Sequence, residues 1–263
     1  MKRSKKRYRI KKKKSILRNK LFQIAVLIVL LSSFFSWLII FAPLFQVRMV
    51  SISGNKRINV SDIEQLVYPE TEKKLLFLKS QSIFLTKSEL IKAKILENYP
   101  LIDDLKIKKL FPNSLLIEII ERQRLARWSG TEKYFYIDKK GIAFEEADEQ
   151  SRADLLIASK QFQGEISLTN RVIEEKNLSQ IINIKETIET KTGVKAEEFI
   201  LFESEARLNV KTAEGWEIYF YLEGDVNWQL IELELILEKQ LPIERRQQGL
   251  EYIDLRFSKT YYQ

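Results

Sequence analysis

The sequence predicts an α+β protein in which a single transmembrane helix precedes two folded regions. Three observations lead to this prediction. An uncharged apolar run follows a strongly basic N-terminus, short segments with strand-like alternation fill the remainder, and helix start signals interrupt them. The first folded region should hold a three-stranded sheet with two helices. The second should be a mostly antiparallel β domain with two or more helices.

The apolar run is Leu21–Phe41, and no charged residue occurs between Lys20 and Arg48. A bilayer core about 30 Å thick needs about 20 apolar helical residues, so the run is long enough to cross a membrane once. Twelve Lys and Arg lie in residues 1–20, which places the N-terminus in the cytoplasm. A cleaved signal peptide is the alternative. Its apolar region would be shorter and would end in small residues, whereas this run ends in Phe41-Ala42-Pro43.

The net charge of +8 comes from the N-terminal tail. Residues 21–263 contain 32 Lys and Arg against 36 Asp and Glu, so the folded part is mildly acidic. This balance argues against a nucleic-acid-binding surface on the folded part. The tail alone has the composition of a nucleic-acid-binding arm, but its position beside a membrane span favours attraction to anionic lipids.

The chain has neither cysteine nor histidine. Disulfides, thiolate and imidazole metal ligands, and Ser-His or Cys-His nucleophile pairs are therefore excluded. The sequence also lacks G-x-S-x-G, a phosphate-binding Gly-rich loop and H-E-x-x-H. We expect no cofactor, no metal site and no catalytic residue. The alternative is a membrane-anchored extracytoplasmic enzyme that acts on a cell-wall substrate through carboxylates or a Ser-Lys pair.

Elements of the first folded region follow from alternation and capping signals. Two capping boxes, Ser61-x-x-Glu64 and Thr86-x-x-Glu89, should each start a helix. The helices are expected at Asp62–Val67 and Lys87–Asn98, the second burying Leu90, Ile91 and Ile95. The strands are expected at Gln46–Ile52, Leu105–Leu110 and Ser114–Glu121, the last two joined by a turn at Phe111-Pro112-Asn113.

The second folded region alternates short strands with two helices. A helix should open at Asn177, run to about Lys191 and end at Gly193. Asp225 should cap a last helix, whose Leu230, Leu233, Leu237 and Leu241 share one face. Strands are expected around Trp128 and at Tyr134–Ile137, Ile142–Phe144, Leu155–Ile157, Phe199–Phe202, Leu208–Thr212, Trp216–Tyr221 and Leu250–Phe257, with a hairpin turn at Asp138–Gly141.

Four passages, in this order after the basic tail and span, resemble the bacterial cell-division family FtsQ, called DivIB in Gram-positive bacteria. Val47–Ile63 is similar to the opening of the family's POTRA domain. Glu97–Trp128 is similar to its helix-Pro-strand-hairpin with an E-R-x-x-x-A ending, and Tyr134–Phe144 to its aromatic-Asp-x-x-Gly hairpin. Tyr252–Tyr262 is similar to the C-terminal signature strand. The sequence departs from the family at the longer, more polar residues 69–84.

This resemblance implies a non-enzymatic scaffold of the division septum, anchored in the cell membrane as a single-pass type II protein with its C-terminal part outside. It implies binding to FtsL and DivIC (FtsB), and thereby a part in controlling septal peptidoglycan synthesis. A POTRA-type secretion component is a further possibility, but the chain lacks the strand series of an outer-membrane barrel. The expected segments are a cytoplasmic tail (1–20), a transmembrane helix (21–43), a POTRA domain (44–123), a β domain (124–256) and a partner-binding strand (257–263).

The last residues are the candidate partner site. Terminal strands expose backbone donors and acceptors that a partner strand can complete. Phe257, Tyr261 and Tyr262 supply aromatic anchors and Lys259 a charge, the residue types typical of binding hot spots. From residue types alone, Phe257 and Tyr261 could equally finish the core while Tyr262 frays. The resemblance favours the partner edge.

Three other features receive structural interpretations. Glu145, Glu146, Asp148 and Glu149 lack the spacing of a calcium loop, so a solvated acidic loop is expected. Arg256 and Asp254 should form an ion pair. Trp216 and Trp228 should be core or rim aromatics.

Overall fold

The computed structural model describes residues 20–75, 77–130, 133–148, 155–159, 166–246 and 249–263. Residues 1–19 of the basic tail and Glu149 of the predicted acidic loop lie outside this part of the chain. The described residues form two units. One contains the residues up to Ile95 together with Leu105–Ile119, and the other contains Leu96–Asp104 and Ile120–Gln263.

The first unit begins with a helix that is long and apolar enough to cross a membrane. This helix, α1, spans Lys20–Phe41, and most of its apolar residues are exposed. The elements after it are β1 (Met49–Ser53), α2 (Val60–Thr71), β2 (Lys73–Leu75), β3 (Leu78–Ser80), α3 (Ser88–Asn98), β4 (Ile102–Leu110) and β5 (Ser114–Glu121). β4 begins and β5 ends in ranges that belong to the second unit.

Strands β1, β5 and β4 form the predicted three-stranded sheet, with β5 in the centre and parallel to β1. Alternate residues of β5 are buried, which is the pattern of a strand covered on one face. The two helices contribute the rest of the core. The fully buried side chains include Ile63, Val67, Ile91, Ile95, Leu105, Leu115 and Ile117.

The two helices begin differently from the sequence prediction. α2 starts after Asn59, so Ser61 lies inside the helix and does not cap it; its hydroxyl is 3.4 Å from Asp62 Oδ1. The Thr86 hydroxyl donates to the Ser82 carbonyl at 3.1 Å, and α3 begins at Ser88. The prediction that Leu90 is buried is wrong, since 49% of it is exposed. Neither box therefore behaves as the motif predicts.

The last turn of α1 is capped by residues far along the chain. The Ile40 carbonyl accepts hydrogen bonds from Ser80 Oγ at 2.5 Å and from Gln46 Nε2 at 2.9 Å. The Ile39 carbonyl accepts one from Ser82 Oγ at 2.9 Å. Carbonyls at a helix end lack partners within the helix, and here buried serines supply them. These bonds join the helix end to the segment that follows the β2–β3 hairpin.

The second unit is built on one large sheet. Its elements are β6 (Ala126–Ser129), β7 (Tyr134–Ile137), β8 (Ala143–Ala147), β9 (Leu156–Ser159), α4 (Glu175–Thr187), β10 (Ala196–Phe202), β11 (Arg207–Thr212), β12 (Glu217–Tyr221), α5 (Val226–Lys239), α6 (Ile243–Arg246), β13 (Tyr252–Asp254) and β14 (Tyr261–Tyr262). Within the described residues the strand order is β14-β13-β12-β11-β10-β9-β6-β7-β8. Five of its neighbouring pairs are antiparallel and three are parallel, which confirms the predicted α+β class with a mostly antiparallel second region.

The core of this unit lies between the sheet and the helices α4 and α5. The Asp225 carboxylate accepts the backbone N–H of Trp228 at 3.0 Å, which confirms the predicted cap of α5. Trp216 is buried, whereas Trp228 is 62% exposed. Beyond α4 a π turn leads to Gly193 at φ +69°, the predicted end of that helix. The apolar face of α5 packs against the part of the sheet that contains β12 and β13.

Candidate functional site at the edge of the C-terminal sheet

β14 lies at one end of the strand order. It pairs antiparallel with β13, so that Tyr262 is opposite Ile253 and Tyr261 is opposite Asp254. One residue further, Gln263 and Tyr252 exchange backbone hydrogen bonds at 3.3 and 3.4 Å. The last residues thus run along the end of the sheet.

The backbone of Tyr262 faces the open side of β14. In an antiparallel ladder, hydrogen-bonded pairs alternate with pairs that exchange no hydrogen bonds. Because Gln263 and Tyr252 form a hydrogen-bonded pair, Tyr262 and Ile253 form the other type. The N–H and C=O of Tyr262 therefore point away from β13, in the orientation that an added strand would need.

Three of the four predicted site residues lie together beside this backbone. Phe257 and Tyr261 pack edge to face with ring centroids 6.2 Å apart, and the Lys259 ammonium lies 5.9 Å from the Tyr261 ring centre. Phe257 is 56% exposed and Tyr261 is 51% exposed, so neither ring completes the core. Tyr262, which is 44% exposed, points to the other face because successive strand residues alternate. We call these four residues the C-terminal edge.

One side chain of α5 and the side chain of Gln240, which directly follows α5, contact the last residues of the chain. The Thr260 hydroxyl donates to Glu232 Oε1 at 2.5 Å, and the Tyr262 hydroxyl donates to Gln240 Oε1 at 3.2 Å. These contacts join residues 28 and 22 positions apart in the chain. Sequence reasoning missed Glu232 and Gln240, and no local signal could have found them, since only the packing of α5 against the sheet brings them near.

The predicted ion pair between Arg256 and Asp254 is confirmed. The Arg256 guanidinium donates twice to the Asp254 carboxylate, at 2.9 and 2.7 Å, and Asp254 is buried. The hydrogen bond to Asp254 raises the pKa of Arg256. The guanidinium carbon also lies 5.3 Å from the Phe257 ring centre. The pair therefore fixes the bend after β13 and orients Phe257 outward.

The acidic residues predicted to form a loop lie partly on a strand. β8 extends to Ala147 and includes Glu145 and Glu146, so the loop prediction is wrong for these two. Glu145 accepts from Arg124 Nε at 2.8 Å and thereby raises the pKa of that guanidinium, and Glu146 lies 2.9 Å from Lys133. Among the residues that the structure describes, no group of three or more acidic side chains could hold a metal ion.

Part of the chain matches known protein sequences. The family model for the POTRA domain, FtsQ-type, matches residues 45–122, the range from β1 to β5. The cell division protein DivIB of Clostridium tetani (strain Massachusetts / E88) is 29% identical to this chain over 106 residues. That match covers 40% of this chain and 37% of the relative. Residues 45–122 thus form an FtsQ-type POTRA domain, and the chain is similar to DivIB.

The FtsQ-type POTRA match and the similarity to a DivIB protein confirm the resemblance drawn from the sequence. The chain matches little more than a third of the length of the DivIB relative. The POTRA match ends at residue 122, well before β14.

Proposed function

We propose that this chain is a non-enzymatic scaffold of the divisome that binds FtsL and DivIC/FtsB and thereby helps control septal peptidoglycan synthesis. In this proposal α1 crosses the cell membrane once, the basic tail stays in the cytoplasm, and both units lie outside at the septum. The length and apolarity of α1 support the anchor. The basic residues before it support the orientation.

The observation that carries the proposal is the open backbone of Tyr262 between exposed aromatic rings. A partner strand that pairs there would gain main-chain hydrogen bonds. Its alternate side chains would meet Tyr261 with Phe257 on one face and Tyr262 on the other. Large aromatic side chains with an adjacent cation are typical centres of protein–protein binding energy. The C-terminal edge (Phe257, Lys259, Tyr261, Tyr262) thus has both parts of a strand-addition site.

The remaining segments receive roles in the same proposal. The POTRA domain, residues 44–123, would serve recruitment to the division site, and the β domain, residues 124–256, would present the edge strand at 257–263. The lack of histidine and cysteine supports a role in binding rather than catalysis. Asp254, the buried carboxylate nearest the edge, is neutralised by Arg256.

Co-purification tests this proposal. The full-length chain and a form that ends at Arg256 would each be incubated in detergent with tagged FtsL and DivIC. We expect the truncated form to lose binding while circular dichroism shows that the sheet is retained. Full binding by the truncated form would remove the C-terminal edge as the site. Turnover of peptidoglycan by the purified full-length chain would contradict the non-enzymatic role.

A further inference from the structure

The β2–β3 hairpin of the first unit carries an exposed apolar tip. Its strands pair antiparallel, with Leu75 opposite Leu78 and Lys74 opposite Lys79. Phe77 is 94% exposed, Leu78 is 54% exposed and Leu75 is 36% exposed. A hairpin of three-residue strands buries too little to need such residues for its own stability. Exposed apolar groups concentrated in one short segment point to a contact outside the chain.

We propose that this hairpin is a second membrane contact, which lies among the lipid headgroups of the leaflet where α1 ends. Leu75, Phe77 and Leu78 would enter the boundary between headgroups and acyl chains, and the flanking lysines would bind lipid phosphates. The inference goes beyond the scaffold function, because it needs no division partner. It depends on α1 spanning the bilayer.

Hydrogen bonds place the base of the hairpin at the end of α1. Ser80, the last residue of β3, donates to the Ile40 carbonyl at 2.5 Å, and Ser82 donates to the Ile39 carbonyl at 2.9 Å. Both carbonyls belong to the last turn of the helix. Three strand residues rise about 10 Å, so the tip lies within about that distance of Ser80. The headgroup zone on each side of a bilayer is about 5–8 Å thick. A tip this close to the end of a spanning helix is within reach of that zone.

The faces of the hairpin are arranged as an interfacial segment requires. Residues that pair across the strands share a face, and alternate residues along a strand also share one. Leu75 and Leu78 are therefore on the same face as Ser80, whose hydroxyl contacts the end of α1. Lys74 and Lys79 occupy the opposite face. Lys73, which pairs with Ser80 at the base of the hairpin, shares the face of the leucines. Near the tip, the leucine face is thus turned toward the end of α1 and the face of Lys74 and Lys79 away from it, a division typical of segments that lie in a membrane interface.

The charges complement a phosphate surface. Lys74 and Lys79 face each other across the strands, an arrangement that is unfavourable between like charges. Glu72 lies 2.7 Å from Lys79 and offsets part of this repulsion. Lipid phosphates would supply further negative charge. Long lysine side chains can also keep their stems along apolar surface while the ammonium reaches the headgroups.

The absence of cysteine from the chain allows a direct depth measurement. Single variants Phe77→Cys, Val29→Cys and Leu90→Cys of the full-length protein would carry a nitroxide label in vesicles of phosphatidylcholine and phosphatidylglycerol. Val29 lies in the middle of α1, and Leu90 is a 49% exposed residue of α3 that serves as the water-exposed control. The measured quantity is the ratio of label collisions with oxygen to collisions with a water-soluble nickel chelate. Oxygen partitions into lipid and the chelate does not.

We expect a severalfold higher ratio for the label at position 77 than at position 90, and the highest ratio at position 29. Replacing both Lys74 and Lys79 by Glu should lower the ratio at position 77 in these anionic vesicles. If the ratio at position 77 equals that at position 90 while the ratio at position 29 is high, the hairpin contact alone would be overturned. A low ratio at position 29 would overturn it together with the membrane anchor.

Discussion

The Arg122 guanidinium donates a hydrogen bond to the Asp138 carboxylate, and their side chains are only 10% and 5% exposed. Asp138 also accepts the backbone N–H groups of Lys140 at 2.8 Å and of Ile142 at 3.0 Å, so the same carboxylate shapes the turn before β8. Asp103 lies 3.2 Å from Arg122 and 2.5 Å from the Lys140 ammonium. Two cations and two carboxylates of the second unit thus neutralise one another.

Replacing Arg122 by Ala should strongly destabilise the second unit. The change leaves the buried Asp138 carboxylate without its cation, a loss that typically costs about 3–5 kcal/mol. Urea unfolding followed by tryptophan fluorescence measures it, since Trp128 and Trp216 are buried in this unit. Lys133→Ala is the control within the same unit, because its pair with Glu146 is exposed and should contribute less than about 1 kcal/mol. Equal effects of the two substitutions on the free energy of unfolding would contradict the role given to the pair of Arg122 and Asp138.

Replacing Gly141 by Ala should also destabilise the second unit. Gly141 has φ +73°, and a Cβ there would lie 2.0 Å from the Ile173 carbonyl oxygen. Gly193 has nearly the same φ, +69°, but a Cβ added there would meet no described atom within 4 Å, which makes Gly193→Ala a matched control. The control should cost about 1–2 kcal/mol for the left-handed backbone alone. Thermal unfolding should show a clearly larger loss of stability for Gly141→Ala than for Gly193→Ala. Equal losses of stability would show that the close approach to the Ile173 carbonyl oxygen is irrelevant.

The pair between Glu70 and Lys94 should make a small pH-dependent contribution to the first unit. The hydrogen bond from Lys94, at 2.7 Å, lowers the pKa of Glu70 below its ordinary value of 4.5. A carboxyl whose pKa is lower in the folded state adds stability above its unfolded pKa and loses it as the pH falls through the folded pKa. At neutral pH the free energy of unfolding of the native chain should exceed that of Lys94→Met by up to about 1 kcal/mol. The difference is small because both side chains are partly exposed.

Unfolding of both forms between pH 7 and pH 3 tests this sign. The difference in the free energy of unfolding between the native chain and Lys94→Met should shrink once the pH falls below 4.5. In a Glu70→Gln background, Lys94→Met should have an effect that no longer varies over this pH range. A difference that grows on acidification would contradict the expected linkage.

Elements with strong local signals could be predicted from the sequence. Asp225 accepts a hydrogen bond from the start of α5 because a carboxylate can reach the free N–H three residues later. The turn at Asp138 and Gly141 is likewise encoded locally. The same kind of signal failed at Ser61, because α2 extends backward to Val60 and places the hydroxyl within the helix. Burial of the apolar face outweighs one cap.

Features that depend on distant contacts could not be predicted. The β2–β3 hairpin lies in a lysine-rich segment with no alternating pattern, and its ordering relies on Ser80 reaching Ile40. At the candidate site, residue types indicated Phe257 and Tyr261. The direction of the Tyr262 backbone required the register with β13. Strand register between remote segments follows from the packed sheet rather than from local sequence.

Replacing Tyr262 by Pro should weaken partner binding without disturbing the fold. The Tyr262 N–H points away from β13, so proline removes a donor that only an added strand would use. The hydrogen bonds between Gln263 and Tyr252 remain possible. Tyr262→Ala is the matched control, since it removes the ring and the contact with Gln240 but keeps the backbone donor. Calorimetric titration with FtsL and DivIC would measure both variants. If the edge works by strand addition, Tyr262→Pro should reduce affinity at least tenfold further than Tyr262→Ala, about 1.4 kcal/mol. Equal affinities of the two variants would show that a partner uses the side chain alone.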